Sequence, residues 1–558
     1  MSESLELFLQ WANEHNAQIA SGLKFRRNEQ GISCFTSTQI SDELLRVPEE
    51  ITITPLLASQ VFDITFNGNR TPLTQLLLTK LRFDPQKTIC NGKDLKNFFK
   101  PYLDILPTAT QIGSPLFYGI ERQMIEGTDL SLTVDREIKK HLDDWYSVVQ
   151  RVDTKLRPPT YDEEIKFYEV LKQGRPGHFA SYLNNPTSWT SFPAYLWSCA
   201  IFRSRAFPFI LNKDKAQDLN EAVLLPIFDL LNHDDQKAKV NWDFEDGQYI
   251  FRTQQPLEKD VEVFNSYGPK TNEELLLSYG FALEDNPNDK SNLSLRIPED
   301  QVANAIKFGV NLKNNEVAFD ITKSNPLPES LVTLFCFLLK NASETVVTLR
   351  NKLEGLKYLT SVVQQKLDVL KPVKLQGSID ARILKNAKIY RNTQKQLFQL
   401  CFEECVKLEK VLLKEYKPLS FKTIYKNDKG FANALLLIFG ITSYERLSKT
   451  DDLDRVLILW IIRCGNNKYY NEKSLFPDMV AQMYQSVAQN ITVTKKDIQN
   501  NIPVYKALFP SIAEKVPEVF GKGDWGIKSF VIAEEVRDKM CFERKASGEV
   551  FFLQDIKV

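Results

Sequence analysis

Between Ala222 and Asp285 the chain carries side chains that could hold and orient a charged reactant. They are a carboxylate at Asp229, an amide–imidazole pair at Asn232-His233, and phenols at Tyr267 and Tyr279. Amides, imidazoles and phenols place directed hydrogen bonds, and aromatic faces attract cations. Each piece alone has a plain explanation. Asn-His after the apolar run Leu224–Leu231 suits a strand end, and a Tyr-Gly pair suits a buried aromatic beside a turn. Their order is more specific: an apolar segment ending in Asp and Asn-His, a hairpin, then Tyr267-Gly268 and Tyr279-Gly280 twelve residues apart.

The elements that must position these residues are legible around them. Val240 to Phe244 and Gln248 to Arg252 are β-branched and aromatic runs flanking Glu245-Asp246-Gly247, and Asp-Gly there predicts a tight hairpin. Tyr195 to Phe207 predicts a helix stopped by Pro208, with Leu196, Cys199 and Ala200 inward. Arg203 and Arg205 fall in its last turn, where cations complement the helix dipole. Upstream, Leu5 to Ala20 predicts an amphipathic helix, Phe25 to Phe35 contains Gly31, and Glu43 to Pro48 and Glu50 to Pro55 predict short strands. Thr71 to Arg82, Asp94 to Leu106 and Asp129 to Val152 predict helices. Asn286-Pro287-Asn288-Asp289-Lys290 marks a turn-rich boundary, after which Ser330–Asn341, Ser343–Leu370, Ser378–Tyr416, Ala432–Phe439 and Leu453–Arg463 predict a packed helical region. Phe530–Ile532, Met540–Arg544 and Glu549–Leu553 predict short strands, the last two joined around Ser547-Gly548.

The totals bound the classes available. A chain of 558 residues needs more than one core. Its 71 basic and 71 acidic residues balance, so no net field points to nucleic acid. Eight scattered cysteines with no Cys-x-x-Cys pair, and four histidines, argue against a metal cluster and fit a reducing compartment. Cys401 and Cys405, one helical turn apart, are expected to pack as small apolar residues. The start Met1-Ser2-Glu3-Ser4 is acidic and lacks an apolar signal core, and no run has the length of a membrane span.

The wording from Asn232-His233 to Tyr279-Gly280-Phe281, with Arg203-Ser204-Arg205-Ala206-Phe207 just upstream, resembles the C-terminal half of a SET domain. The nearest pattern is the protein-lysine methyltransferase class typified by the plastid Rubisco large-subunit enzyme and the fungal ribosomal-protein lysine methyltransferases. The resemblance implies an α+β fold: a SET domain over 1–285, with small sheets, a knot-like active site and a helical insertion at about 85–190. A mainly helical substrate-binding domain over 286–515 would follow, and then a tail, 516–558, with short strands and no assigned role.

It also implies S-adenosylmethionine as methyl donor and no metal. Tyr267 would be the catalytic tyrosine. Gly31, Asn232, His233, Tyr267, Tyr279 and Phe281 would surround the donor, with His233 acting mainly through its backbone. Ser204, Arg205, Phe207 and Asp229 would lie near the target lysine. The family pattern has Gly-x-Gly in the donor loop, whereas this chain has Glu29 in place of the first glycine. The chemistry is in-line attack by a neutral amine. Freeing the lone pair of a lysine at pH 7 costs about 4.6 kcal/mol. A sulfonium about 4 Å away repels the ammonium by roughly 4 kcal/mol at an effective dielectric near 20, which favours the neutral amine. No strong base is then needed. The implied partner is a ribosomal protein or an elongation factor, met by a monomer in the cytoplasm, a nuclear pool being compatible, with no direct nucleic-acid or membrane contact. The alternatives are a histidine methyltransferase of the same class and a SET-like scaffold that no longer transfers methyl.

Overall fold

Asp246 and Gly247 adopt φ of 50° and 76°, the left-handed pair a two-residue hairpin turn requires. The strands they join, Val240–Glu245 and Gln248–Thr253, pair antiparallel, from Val240 opposite Thr253 to Glu245 opposite Gln248. Gln248–Thr253 then pairs with Glu43–Pro48, which pairs with Gln18–Ile19, making a four-stranded sheet. Leu45, Val47, Tyr249 and Phe251 from its two central strands are buried in the core.

This computed structural model describes residues 3–28, 31–312, 315–373, 375, 379–544, 547–554 and 556–557. The chain is α+β and divides into two compact units. The first comprises Met1–Lys290 with Leu370–Lys395, the second Ser291–Val369 with Gln396–Val558. Small two-stranded pairings accompany the main sheet in the first unit, Ile89–Cys90 with Lys93–Asp94 among them. Leu23–Asn28 and Gly31–Thr36 form a hairpin, Ala206–Pro208 pairs with Ala222–Leu224, and Asn232–His233 runs parallel to Phe264–Asn265.

Helices fill the first unit between the strands Glu43–Pro48 and Ala206–Pro208: Thr71–Phe83, Leu95–Ile105, Asp129–Val149 and Phe192–Arg205 among them. In the last, Ser191 accepts from the Ala194 amide as N-cap, Pro193 sits in the first turn, and Phe192 through Phe202 are buried all round. A helix with no polar face must lie inside the domain. Ser198 Oγ donates to the Gln75 carbonyl at 2.8 Å, and Tyr195 donates to the Gln75 side chain at 2.9 Å, tying it to Thr71–Phe83.

The second unit packs the helices Glu329–Leu338, Leu349–Val369, Lys429–Phe439, Leu453–Gly465, Asp478–Asn490 and Ile527–Met540. The late hairpin forms, Cys541–Arg544 against Glu549–Phe552, with Leu419–Ser420 on the other edge.

Three local expectations are corrected. Glu50–Pro55 is no strand: Glu49–Ile51 makes a 3-10 turn, and Thr54 caps the helix Pro55–Phe62 by accepting from Leu57 N at 3.1 Å. Phe530–Ile532 is helical, because Ala533, Val536 and Met540 continue the same buried face, and tertiary burial outweighs β propensity. The first helix stops at Glu14, where Asn16 turns left-handed ahead of the strand Gln18–Ile19. All eight cysteines are free, and Cys401 and Cys405 are buried.

Candidate active site

Two chain segments meet at the parallel pairing of Asn232–His233 with Phe264–Asn265, Phe264 opposite Asn232 and Asn265 opposite His233. Tyr267 leaves the end of this pair and its ring lies on His233, centroids 4.8 Å apart and planes at 13°. Tyr279 stacks at 4.4 Å and 14° against Tyr267, and Phe281 tilts against Tyr279 at 6.2 Å. His233, Tyr267, Tyr279 and Phe281 thus form one aromatic row.

Tyr279 is delivered to this row by the last turn of a short helix and the glycine that ends it. Thr271 and Glu274 form a capping box at the start of the helix Asn272–Tyr279, and Gly280 ends it with φ 73°. A Cβ on Gly280 would sit 1.9 Å from the Ile112 carbonyl oxygen, so only glycine allows this approach.

The Tyr267 hydroxyl donates to the Leu231 carbonyl at 2.8 Å, and its backbone N–H donates to His233 Nδ1 at 3.1 Å. The His233 imidazole therefore spends its Nδ1 lone pair inside the protein, and burial holds its pKa below the ordinary value. A role for this ring in the row was not evident from the sequence. Burial raises the Tyr267 phenol well above the ordinary range, opposed in part by Arg205, and lifts Tyr279 to about 12. Both phenols are neutral donors at physiological pH.

Next to His233, Asn232 Nδ2 donates to Ser33 Oγ at 2.9 Å and to Glu262 Oε1 at 2.7 Å. Gly31 begins the strand that carries Ser33, with φ 134° and open space where a Cβ would stand. The structure links that hairpin to Asn232 through Ser33, not Gly31 itself. Glu29 lies outside the described residues.

Three residues before Asn232, Asp229 is buried in the 3-10 turn Phe228–Leu230. Its Oδ2 accepts from Tyr102 at 2.8 Å and faces Arg205 Nη1 at 3.4 Å, and Arg205 also donates to the Asp229 carbonyl at 2.9 Å. Asp229 Oδ1 has no hydrogen-bond partner among the described residues. Burial raises the Asp229 pKa, with Arg205 and Tyr102 pulling the other way. Just before the turn, Ile227 is held at φ 77° and ψ −50°. That conformation costs a β-branched residue of order 1–3 kcal/mol and persists where its surroundings over-determine it. Here Arg205 and Tyr102 hold Asp229, and Tyr267 holds the Leu231 carbonyl.

Phe207 is buried, edge-on to Phe228 at 6.0 Å and to Trp242 at 5.3 Å, and Trp242 Nε1 donates to Asn265 Oδ1 at 3.2 Å. Ser204 is not drawn into this group, since its hydroxyl turns back to the Ala200 carbonyl at 2.9 Å. Tyr102, Ser33, Glu262 and Trp242 join the site without having been marked in the sequence. Tyr102 reads there as one more apolar-face residue of Asp94–Leu106, and Glu262 as one acid among Glu258, Asp260 and their neighbours. Among the described residues, no group of three or more His, Cys, Asp or Glu is placed to hold a metal, and no helix is long and apolar enough to cross a membrane.

Known proteins resemble this chain in sequence and in fold. A family profile described as the EFM1 middle domain matches residues 290–416. The chain is 34% identical to protein-lysine N-methyltransferase EFM1 of Saccharomyces cerevisiae, over 98% of this chain and 97% of that one. It is 29% identical to ribosomal lysine N-methyltransferase 1 of the same yeast, over 88% and 91% of the two chains. The solved structure of Rubisco LSMT bound to AdoMet superposes with a TM-score of 0.54 at 18% identity, covering 74% of this chain and 93% of that one, a likeness of fold.

Proposed function

The chain belongs to the SET-domain protein-lysine N-methyltransferases, and from that premise we propose that Tyr267 orients a lysine amine of a translation-machinery protein for methylation. In this proposal Asp229, Arg205 and Phe207 line the acceptor side, and Ser204, whose hydroxyl is turned back into its own helix, does not. Asn232, His233, Tyr279, Phe281 and Gly31 line the donor side. When bound, S-adenosylmethionine supplies an electrophilic methyl group on a sulfonium. The observation that carries the assignment is Asp229 Oδ1, a buried carboxylate oxygen without a hydrogen-bond partner among the described residues. An unpaired buried acceptor is costly, and an arriving ammonium would satisfy it.

Asp229 thus draws the lysine head toward Tyr267. The Tyr267 hydroxyl stays protonated, so its task is to orient the amine, not to remove its proton. The aromatic row offers faces to two cations, the ammonium and the sulfonium. The Leu231 carbonyl fixes the phenol before either reactant arrives, which lowers the entropy lost on alignment. A ribosomal protein is the first acceptor proposed, in keeping with the name of the ribosomal lysine N-methyltransferase relative. An elongation factor is the second. The enzyme would act as a monomer in the cytoplasm, by protein–protein contact.

The test combines radiolabelled S-adenosylmethionine, the purified protein and an extract from cells lacking it, with mass spectrometry of labelled bands. Label on a lysine of a ribosomal protein or elongation factor is the expected result. Label on a histidine would replace lysine as acceptor. No label, with no donor binding by calorimetry, would overturn the proposal in favour of a scaffold.

A further inference from the structure

Asn232 has one amide nitrogen with two hydrogens, and both are committed inside the protein, to Ser33 Oγ and Glu262 Oε1. The nitrogen and oxygen ends of an asparagine have nearly the same shape, so something must decide which end faces which way. Glu262 decides it. An ionised carboxylate only accepts, so the end of Asn232 turned to Glu262 must be the NH2. Asn232 Oδ1 accepts no hydrogen bond among the described residues, and the residue is only half-buried. Its oxygen is left to receive a donor.

We propose that Glu262 and Ser33 are positioning residues that fix the polarity of Asn232, so that its oxygen accepts from the ammonium of the methyl donor's amino-acid end. This deepens the donor-side role given to Asn232 and rests on it. The donor's amino-acid end carries an ammonium and a carboxylate, and Asn232 in the opposite orientation would offer N–H groups suited to the carboxylate. The negative charge of Glu262 beside the amide also favours the ammonium. The two positioning residues come from distant places in the chain. Ser33 sits on the strand Gly31–Thr36, while Glu262 lies just ahead of the strand Phe264–Asn265. The Asn232 amide therefore holds its orientation only when the N-terminal hairpin and the Asn-His segment are both in place.

The experiment is titration calorimetry with S-adenosylhomocysteine and with its analogue lacking the α-amino group. Glu262→Gln removes the acceptor-only constraint. It should weaken S-adenosylhomocysteine binding by about tenfold and the desamino analogue far less, because one charge-assisted hydrogen bond is at stake. In turnover it should raise the donor KM more than it lowers kcat. Ser33→Ala leaves Glu262 in place and should have the smaller effect.

A swap guards against a merely structural explanation. Asn232→Asp sets two carboxylates face to face and should lose donor binding. Adding Glu262→Gln supplies an NH2 to that aspartate, frees its other oxygen for the ammonium, and should restore binding. If Asn232→Ala weakens binding while Glu262→Gln does not, or if Glu262→Gln penalises both ligands equally, the positioning role is wrong and the donor site stands. If Asn232→Ala leaves affinity unchanged, the donor-side assignment itself fails.

Discussion

At Asn232 every amide hydrogen is already bound, to Ser33 and Glu262, whereas at Asp229 one carboxylate oxygen is buried with no hydrogen-bond partner among the described residues. Both places adjoin the row of rings that contains Tyr267. On the proposed assignment the donor side is prepared by saturation: protein partners use up one end of the amide and so define the other. The proposed acceptor side is prepared by deficit: Tyr102 and Arg205 hold Asp229 Oδ2, and Oδ1 has no hydrogen-bond partner among the described residues. A small ligand with a fixed arrangement of charges suits the first design. A side chain that enters as an ammonium and must turn neutral suits the second, because a charge that attracts it also has to let it go.

The harshest test removes the group proposed to serve both sides. Tyr267→Phe deletes one hydroxyl and its bond to Leu231, while the ring keeps its stacking on His233 and Tyr279. Turnover should fall by about 10²-fold or more, the usual scale for a positioned group acting in the transition state, with the circular dichroism unchanged. Near-full activity in the purified variant would remove Tyr267 from the chemistry.

A more selective test separates the two sides. Asp229→Asn keeps the shape and still accepts from Tyr102, but it replaces a charge with an amide. Acceptor kcat/KM should fall by about 10- to 100-fold, since truncating one partner of a buried charged pair costs ~2–5 kcal/mol and part of that is retained by the amide. Donor affinity by calorimetry should stay within error. Equal losses for donor and acceptor would mean that the two sides are one network, with no contrast between saturation and deficit.

Much of this was legible in the sequence, for a definite reason. Asn232-His233, Tyr267 and Tyr279-Gly280 stand at spacings set by a tight hairpin and an eight-residue helix, elements whose turn and capping signals are local. Relations between distant segments were not legible. That Ser33 meets Glu262 through Asn232, or that Tyr102 meets Asp229, depends on packing, which local patterning does not carry. Tyr102 looks like any aromatic on a buried helix face until its hydroxyl is seen to find a carboxylate. Phe530–Ile532 failed for the complementary reason: three β-formers read as a strand in isolation, yet their neighbours at Ala533, Val536 and Met540 commit the segment to a helix.

The weakest effect lies behind the site. His141, on the helix Asp129–Val149, is buried with neither ring nitrogen hydrogen-bonded among the described residues. Burial, with help from Arg203 and Lys140, depresses its pKa from 6.5 to about 3. Glu137 Oε2, 4.0 Å from Nε2, is already engaged by Arg203. The folded state therefore binds fewer protons than the unfolded chain between these two pKa values. This contribution to stability is complete above pH 6.5 and is lost as pH falls toward 3, at up to about 1.4 kcal/mol per pH unit. His141→Phe removes the titrating group. Its unfolding midpoint in urea should decline less between pH 6.5 and 4.5 than that of the unmodified protein, while the two behave alike in their pH dependence above 7. Parallel curves at low pH would show that His141 is solvated or paired in solution. At physiological pH the predicted effect on methyl transfer is nil, which separates this buried ring from His233, whose lone pair is spent on Tyr267.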